Sequence, residues 1–221
     1  MKGKQLPAPL LVVTDRGLAR APLERQIAAI LAGGARWVWF REKDLPRDER
    51  RALAARVMAV TREAGGVFSV GGDIELAAEL GADAAHLSSA AKASLARETL
   101  GEAALIGVSA HTLAEVAAAR AAGADYVTLS PIYLTASKPG YGPALGPAVI
   151  AAAAALGIPT LALGGLRAGN LTCVKAAGAA GAAIMGELMR AERPAELAAA
   201  LLARWRDPAV SPPQRSPVKF P

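Results

Sequence analysis

The chain has 221 residues, of which 53% are hydrophobic and 20% charged, and its formal net charge is +6. These values are typical of a globular protein that buries a core, and they exclude a disordered or fibrous chain. No apolar run reaches the roughly 18 residues of a membrane-spanning helix, and the N-terminus lacks the apolar centre of a secretory signal. The single cysteine excludes an intramolecular disulfide. We therefore expect a cytoplasmic protein with no membrane partner.

Positive charge is concentrated at the two ends of the chain. Residues 1–9 and residues 206–221 each carry a net charge of +2, which leaves +2 for the body. With only 4% aromatic residues to stack on bases, this distribution does not favour a nucleic-acid partner. We predict a flexible N-terminal segment at 1–9, a single domain at 10–205 and a proline-rich tail at 206–221.

Short apolar segments typical of β-strands alternate with amphipathic segments typical of helices along the whole chain. The strand candidates are residues 10–15, 37–42, 67–72, 84–88, 104–110, 125–132, 159–165 and 182–187. Helical patterns lie between them, and the clearest are residues 22–34, 47–66, 112–124 and 146–157. A helix between successive strands forces parallel pairing, because a parallel crossover needs a dozen or more residues.

Eight such units predict an α/β fold, the closed parallel (β/α)8 TIM barrel. The alternative is an open doubly wound sheet, which is expected to carry a glycine-rich phosphate loop after its first strand. The segment VVTDRGLARAP contains no G-x-G-x-x-G pattern at that place. Catalytic groups of a barrel lie at the C-terminal ends of the strands, so these ends are where we search for a site.

Two cations follow the second strand, in the segment WVWFREK. The two-residue alternation places Arg41 and Lys43 on the same side if the extended geometry persists. Positive charges crowded at a barrel mouth repel one another unless an anion binds there, so an anionic substrate is one explanation. The other explanation is a surface ion pair of Arg41 or Lys43 with Glu42 or Asp44, an arrangement that is common and weak.

The ends of the sixth, seventh and eighth strands predict a phosphate site. Thr135, Ser137 and Lys138 bring hydroxyls and a cation to the loop after the sixth strand, although a flexible polar loop would have the same composition. Gly165 and Gly186 follow the next two strands, where small residues let backbone N–H groups approach an anion. Either glycine could also serve a tight turn. Their occurrence at successive strand ends favours phosphate, which often binds at this place in TIM barrels.

Both histidines lie near strand ends. Thr112 and Glu115 match a capping box, so Thr112 is the predicted N-cap of a helix and His111 lies just before it. Alternation along the fifth strand places Ser109 and His111 on the side that faces the barrel mouth. The other histidine, His86, is interpreted as a hydrogen-bonded, partly buried imidazole without a catalytic role.

These segments together resemble the superfamily of thiamine phosphate synthases and TenI-type thiazole tautomerases. The similarity spans residues 10–190 and is carried by the motifs WVWFREKD, DIELAAELGADAAHL, IGVSAHTLAEVAAARAAGADYVTLSPIYLTASK and IPTLALGG. The resemblance implies a (β/α)8 barrel, often a homo-oligomer, whose partner is a small-molecule thiazole phosphate. It also implies a set of anion-binding positions, namely Arg41, Lys43, Ser109, Thr135 and Lys138.

The chain departs from the synthase pattern at the metal site. That pattern has Asn-Asp after the third strand and a second aspartate after the fourth, and the two aspartates hold Mg²⁺ beneath a pyrophosphate. Here Gly71 and Gly72 stand at the first pair and Ala91 at the second aspartate, while Asp73 is one residue out of register. Glycine and alanine side chains cannot supply the oxygen ligands that Mg²⁺ prefers. We therefore predict no metal or other cofactor, with Mg²⁺ expected only if the chain is a synthase.

The predicted function is a metal-independent thiazole tautomerase, which aromatises a carboxythiazole phosphate by moving a proton. His111 matches the catalytic histidine of TenI-type enzymes, and an imidazole suits proton transfer near neutral pH. Two alternatives stay open. One is a Mg²⁺-dependent thiamine phosphate synthase, and the other is a non-catalytic homologue that binds a phosphate ligand or regulates.

Overall fold

The computed structural model describes residues 4–135 and 143–207. Within these residues the strands form a closed parallel barrel in chain order, and β1 pairs with β8 to complete it. The strands are β1 Leu10–Val13, β2 Trp37–Phe40, β3 Val67–Gly71, β4 Ala84–Leu87, β5 Leu105–Ala110, β6 Tyr126–Leu129, β7 Thr160–Leu163 and β8 Gly181–Ile184. The predicted (β/α)8 barrel is confirmed, and the open-sheet alternative is excluded because both sheet edges are paired with each other.

Helices connect the successive strands. They are α1 Leu23–Ala32, α2 Arg47–Glu63, α3 Ile74–Leu80, α4 Ala93–Leu100, α5 Leu113–Ala121, α6 Ala148–Ala155, α7 Leu171–Ala176, α8 Gly186–Met189 and α9 Pro194–Arg206, with a 3₁₀ turn at Ala90–Lys92. The start of α3 shows the local chemistry. The Asp73 carboxylate accepts a hydrogen bond of 2.9 Å from the Leu76 N–H, which satisfies a backbone donor that has no partner inside the helix.

Two apolar clusters hold the barrel together, because successive side chains of a strand point to opposite faces. The larger cluster lies between the strands and the surrounding helices, where many alanines let the helices pack closely. The smaller cluster fills the barrel interior and is built from Leu11, Val13, Trp37, Trp39, Ala84, Leu105, Tyr126, Leu161 and Ala183. The barrel is therefore a filled core rather than a channel, and a ligand can bind only at an end.

Residues 4–9 of the predicted N-terminal segment contact the end of the barrel where the strands begin. The Lys4 ammonium donates to the Ala104 carbonyl at 2.7 Å, and the Pro9 carbonyl accepts from the Ala182 N–H at 2.8 Å. Leu6 and Ala8 pack against the interior cluster. These contacts cover the N-terminal end, which leaves the C-terminal end for a site.

The predicted C-terminal tail overlaps the last helix by one residue. Helix α9 runs to Arg206, the first residue of the predicted tail, and residues 208–221 lie outside the described residues. None of the helices in the described residues is long and apolar enough to cross a membrane.

Candidate active site

A cavity of about 300 Å³ lies at the C-terminal ends of β1, β2, β6, β7 and β8. Four of the predicted binding residues line it, namely Arg41, Thr135, Gly165 and Gly186. Arg167 and Arg190 also line it, and neither was predicted from the sequence. Arg167 follows Gly165 by two residues, a spacing that could have indicated it, whereas Arg190 lies beyond α8 and carried no such signal. The charged lining residues of the cavity are three arginines and Glu187, so the cavity has a net positive charge, and glycine backbone borders it, as suits an anion site.

The β2 end presents its two cations to the mouth. Arg41 and Lys43 also line a neighbouring cavity of about 740 Å³ between the β1–α1 and β2–α2 loops. Their acidic neighbours pair elsewhere, because Arg16 binds Glu42 at 3.3 Å and Asp44 at 2.6 Å. The alternative of local ion pairs with Arg41 or Lys43 is therefore not what the structure shows. Burial lowers the pKa of Lys43, and the positive charge of Arg41 lowers it further.

A buried hydrogen-bond network fixes the position at which the chain leaves β2. The Thr14 hydroxyl donates to the Glu42 carboxylate at 2.7 Å and accepts from the Arg41 N–H at 2.9 Å. The same carboxylate accepts from the Arg16 N–H at 3.2 Å. Because Glu42 is almost fully buried, it needs these donors to offset the loss of water. The network ties the β1 and β2 ends together and positions the backbone of Arg41.

The close packing around Gly165 requires a glycine at this position. Its φ is 62°, and a Cβ atom there would lie 2.5 Å from the Leu134 carbonyl oxygen and 2.7 Å from the Tyr133 Cβ. The Asn170 amide donates to the Gly165 carbonyl at 2.9 Å and holds the turn. A glycine here lets the β7 end pass close to the loop after β6. Of the predicted residues in that loop, Thr135 is described, whereas Ser137 and Lys138 lie outside the described residues.

His111 lies beside the cavity, at the end of β5. Its Nδ1 is 2.8 Å from the carbonyl oxygen of Ser130, a residue that lines the cavity, although His111 is not itself a lining residue. A carbonyl oxygen only accepts, so Nδ1 carries the proton and Nε2 of the neutral ring carries the lone pair. This tautomer leaves Nε2 as the basic atom of His111.

The capping box beside His111 forms with one change from the predicted pattern. The Thr112 hydroxyl accepts from the Glu115 N–H at 3.2 Å, as expected for an N-cap. The Glu115 carboxylate accepts from the N–H of His111 at 2.5 Å, rather than from that of the N-cap residue. The first turn of α5 thus holds the backbone of the histidine itself.

Ser109 faces the barrel interior, one layer below the mouth. Its Oγ lies 3.1 Å from Nε2 of His86, whose ring stacks on Trp39 with centroids 3.7 Å apart. The interpretation of His86 as a hydrogen-bonded imidazole is confirmed, but its burial is complete rather than partial. Burial lowers the pKa of His86 to about 3, with a contribution from the positive charges of Lys43 and Arg41. His86 is therefore neutral at ordinary pH.

The metal site of the synthase pattern does not fit the residues present. The Asp73 carboxylate caps α3 and pairs with Arg50 at 2.8 Å, so it is already committed. A Cβ atom at Gly71 would lie 2.5 Å from Nε1 of Trp39, which leaves no room for an asparagine beside this indole. Within residues 4–135 and 143–207, no group of three or more His, Cys, Asp or Glu side chains is placed to hold a metal ion.

The family model and the relatives that match this chain carry the same description. Residues 10–188 match the family model described as thiamine monophosphate synthase. A thiamine-phosphate synthase of Chromobacterium violaceum is 40% identical over 198 residues, which cover 89% of this chain and 95% of that protein. The thiamine-phosphate synthase of Halorhodospira halophila is 38% identical over 189 residues, covering 85% and 90%.

A solved structure agrees with these relatives. The thiamine phosphate pyrophosphorylase of Pyrococcus furiosus superposes with a TM-score of 0.78 at 26% identity, over 88% of this chain and 94% of that one. The names of the relatives favour the synthase alternative over the predicted tautomerase, which they do not confirm. The family model spans most of the chain, and the chain belongs to the thiamine monophosphate synthase family.

Proposed function

We propose that this chain is an enzyme of thiamine biosynthesis that acts on a phosphorylated thiazole, and that it moves a proton within a carboxythiazole phosphate without a metal. The proposal of a metal-free proton transfer rests on a contrast between two places at the barrel mouth. A histidine with a defined tautomer lies beside a cationic, glycine-bordered cavity, whereas the positions of the metal carboxylates are Gly72 and Ala91.

Anion binding is the first task of this site. Backbone at Gly165 and Gly186 together with Arg167 would hold the phosphate, because all three line the same cavity. From the sequence, Ser137 and Lys138 belong to the same function. Arg41 lines both cavities, and we assign it to the substrate carboxylate. Two anionic groups held at fixed points orient the thiazole ring between them.

Proton transfer is the second task, and His111 performs it. Nε2 removes a proton from the ring carbon, and the imidazolium then returns a proton at the other end of the conjugated system. The substrate becomes aromatic with no net change in protons. The hydrogen bond from Nδ1 to the Ser130 carbonyl holds the imidazole in place during the transfer.

The coupling reaction of a thiamine phosphate synthase is the second candidate. The names of the curated relatives favour it, and the cavity beside Arg41 and Lys43 offers space for a second substrate, with four cations and four carboxylates in its lining. This reaction joins a pyrimidine diphosphate to the thiazole phosphate and releases pyrophosphate. Gly72 and Ala91 stand where the synthase pattern has the two aspartates that hold Mg²⁺, so the residues after β3 and β4 do not fit this metal.

One experiment separates the two candidates. Purified protein is incubated with each substrate set, once with Mg²⁺ and once with EDTA, and products are identified by mass and ultraviolet spectrum. We expect aromatisation of the carboxythiazole phosphate that EDTA does not abolish. Mg²⁺-dependent formation of thiamine phosphate would overturn the proposal in favour of the synthase. Binding of the thiazole phosphate with no turnover in either assay would favour the non-catalytic homologue.

A further inference from the structure

We propose that the indole of Trp39 makes the barrel mouth selective for a single phosphate group against a diphosphate. It does so by filling the space at the ends of β3 and β4, where the synthase pattern holds a pyrophosphate above its metal. Trp39 is a specificity-determining residue and takes no part in the proton transfer. The proposal rests on the proposed function only for the identity of the accepted ligand, a carboxythiazole phosphate.

The Trp39 side chain reaches from β2 across the inside of the mouth to β3 and β4. Its ring covers the His86 ring with centroids 3.7 Å apart. Its Nε1 lies where a side chain at position 71 would begin, because a Cβ atom added to Gly71 would be 2.5 Å from it. Trp39 also lines the cavity of about 300 Å³, whereas no described residue of β3 or β4 does. The indole therefore stands between this cavity and the ends of those two strands.

Packing and hydrogen bonds hold the indole and the backbone beside it in place. Trp39 is only 5% exposed. The Arg50 guanidinium donates to the Gly71 carbonyl at 2.7 Å, and the Gly72 N–H donates to the His86 carbonyl at 2.8 Å. Because interiors are close-packed, a fixed ring and a fixed backbone do not move aside for a ligand without a loss of stability.

The indole N–H indicates that size, rather than hydrogen bonding, is what this position gains from tryptophan. Nε1 of Trp39 is buried, and among the described residues it has no hydrogen-bond acceptor. A buried donor without an acceptor destabilises a fold, and phenylalanine or leucine would avoid that loss. What the indole adds is a second ring, whose nitrogen edge approaches Gly71. The edge that carries the unmatched donor is thus the edge that fills the space at β3.

Charge at the mouth does not produce this selectivity. Arg41 and Lys43 follow Trp39 on the same strand and line the neighbouring cavity. Their positive charges attract a diphosphate at least as strongly as a monophosphate, because the diphosphate carries more negative charge. A site of this kind rejects the wrong ligand only if its shape excludes that ligand. The indole supplies the excluding shape.

The missing carboxylates alone do not close this part of the mouth. A Cβ atom at Gly72 would meet nothing within 4 Å, and Ala91 is exposed in the 3₁₀ turn. Aspartates would therefore have room at both positions, and aspartate tolerates the left-handed φ of 73° at Gly72 better than most residues do. At position 71, by contrast, a Cβ atom would meet the indole and lie 2.9 Å from the Phe40 carbonyl oxygen.

The direct test compares inorganic phosphate with inorganic pyrophosphate by isothermal titration calorimetry in EDTA. In Trp39→Leu, the preference for pyrophosphate, taken as the ratio of the two dissociation constants, should rise about 10-fold over that of the unaltered chain. Trp205→Leu is the matched control and should keep the original ratio, because this partly buried indole on α9 lines neither cavity. Trp39→Phe should shift the ratio in the same direction by less, and it serves if leucine prevents folding. An unchanged ratio in whichever Trp39 variant folds would overturn the proposal.

A second test adds the missing acids and keeps the glycine at position 71. Gly72→Asp/Ala91→Asp with Trp39 in place should bind pyrophosphate no more tightly in Mg²⁺ than in EDTA. Adding Trp39→Leu should make binding about 10-fold tighter in Mg²⁺, whereas adding Trp205→Leu should not. Mg²⁺-dependent binding in the acid pair alone would contradict the proposal, as would its absence after Trp39→Leu. Both titrations use no thiazole substrate, so their outcome is separate from that of the proposed reaction.

Discussion

The two halves of the barrel mouth differ in the charged and backbone groups that they offer to an anion. The half formed by the ends of β6, β7 and β8 combines glycine backbone with Arg167 and Arg190 around a cavity. The half formed by the ends of β3 and β4 presents Gly71 and Gly72, with Asp73 committed to a helix cap and an ion pair. We call the first half the phosphate half, after the ligand that we propose for it. We call the second the rebuilt half, because it lacks the carboxylates of the synthase pattern and an indole packs on an imidazole there.

The largest effect is expected at the residue assigned to the chemistry, beside the phosphate half. His111→Asn keeps a polar side chain but removes the proton-transfer group, so turnover of the carboxythiazole phosphate should fall about 10²- to 10⁴-fold. The rate is followed by the ultraviolet change on aromatisation. Glu115→Gln is the control, because its amide oxygen can still accept from the His111 N–H and turnover should change little. Unchanged turnover in His111→Asn would remove this residue from the mechanism.

In the rebuilt half, the buried His86 should make the folded protein less stable as the pH falls. The pKa of His86 is lowered from 6.5 to about 3, so below pH 6.5 the unfolded chain binds a proton that the folded chain excludes. The free energy of unfolding should therefore fall by roughly 1.4 kcal/mol for each pH unit below 6.5 on account of this group, until the pH reaches about 3.

Urea unfolding at several pH values measures this dependence. His86→Gln should lower stability at pH 7 but show a weaker fall toward acid, so the gap to the unaltered chain narrows. Parallel pH curves for the unaltered chain and His86→Gln would contradict the assigned shift.

A smaller effect is expected for glycine in the phosphate half. Gly165→Ala adds a methyl group that meets the Leu134 carbonyl at 2.5 Å, in a backbone with φ of 62°. Gly146→Ala has a similar φ of 73° but meets nothing within 4 Å, so it serves as the matched control for backbone strain alone. We expect losses of unfolding free energy of about 2–4 kcal/mol at Gly165 and about 1–2 kcal/mol at Gly146, measured by urea unfolding. Equal losses would show that the close approach does not matter.

The smallest effect is expected for glycine in the rebuilt half. Gly71→Ala places a methyl group 2.5 Å from Nε1 of Trp39, without a positive φ to add strain, and should cost about 1–3 kcal/mol of stability. In a Trp39→Leu background the same substitution should cost less, because the indole is gone. The double-mutant cycle is measured by urea unfolding. An unchanged cost in both backgrounds would show that Trp39 and Gly71 are not coupled.

Much of this architecture was predictable because it depends on local patterns. Alternating apolar and amphipathic segments predicted the barrel, and strand ends located Arg41, Thr135, Gly165 and Gly186 at one cavity. The missing acids at the metal positions were also visible in the sequence. The placement of Ser109 under His86 was not, because it depends on a contact between β4 and β5 side chains inside the barrel.

The order of strands and helices, the absence of the metal carboxylates and the position of His111 before α5 could all be read from the sequence. Those properties follow from the periodicity and chemistry of residues that are near one another in the chain. The folded barrel was needed to see that Trp39 lies over His86 and against Gly71, and that Arg167 and Arg190 share a cavity with Arg41. The physical reason is that barrel closure brings strand ends together whose separation along the chain carries no periodic signal.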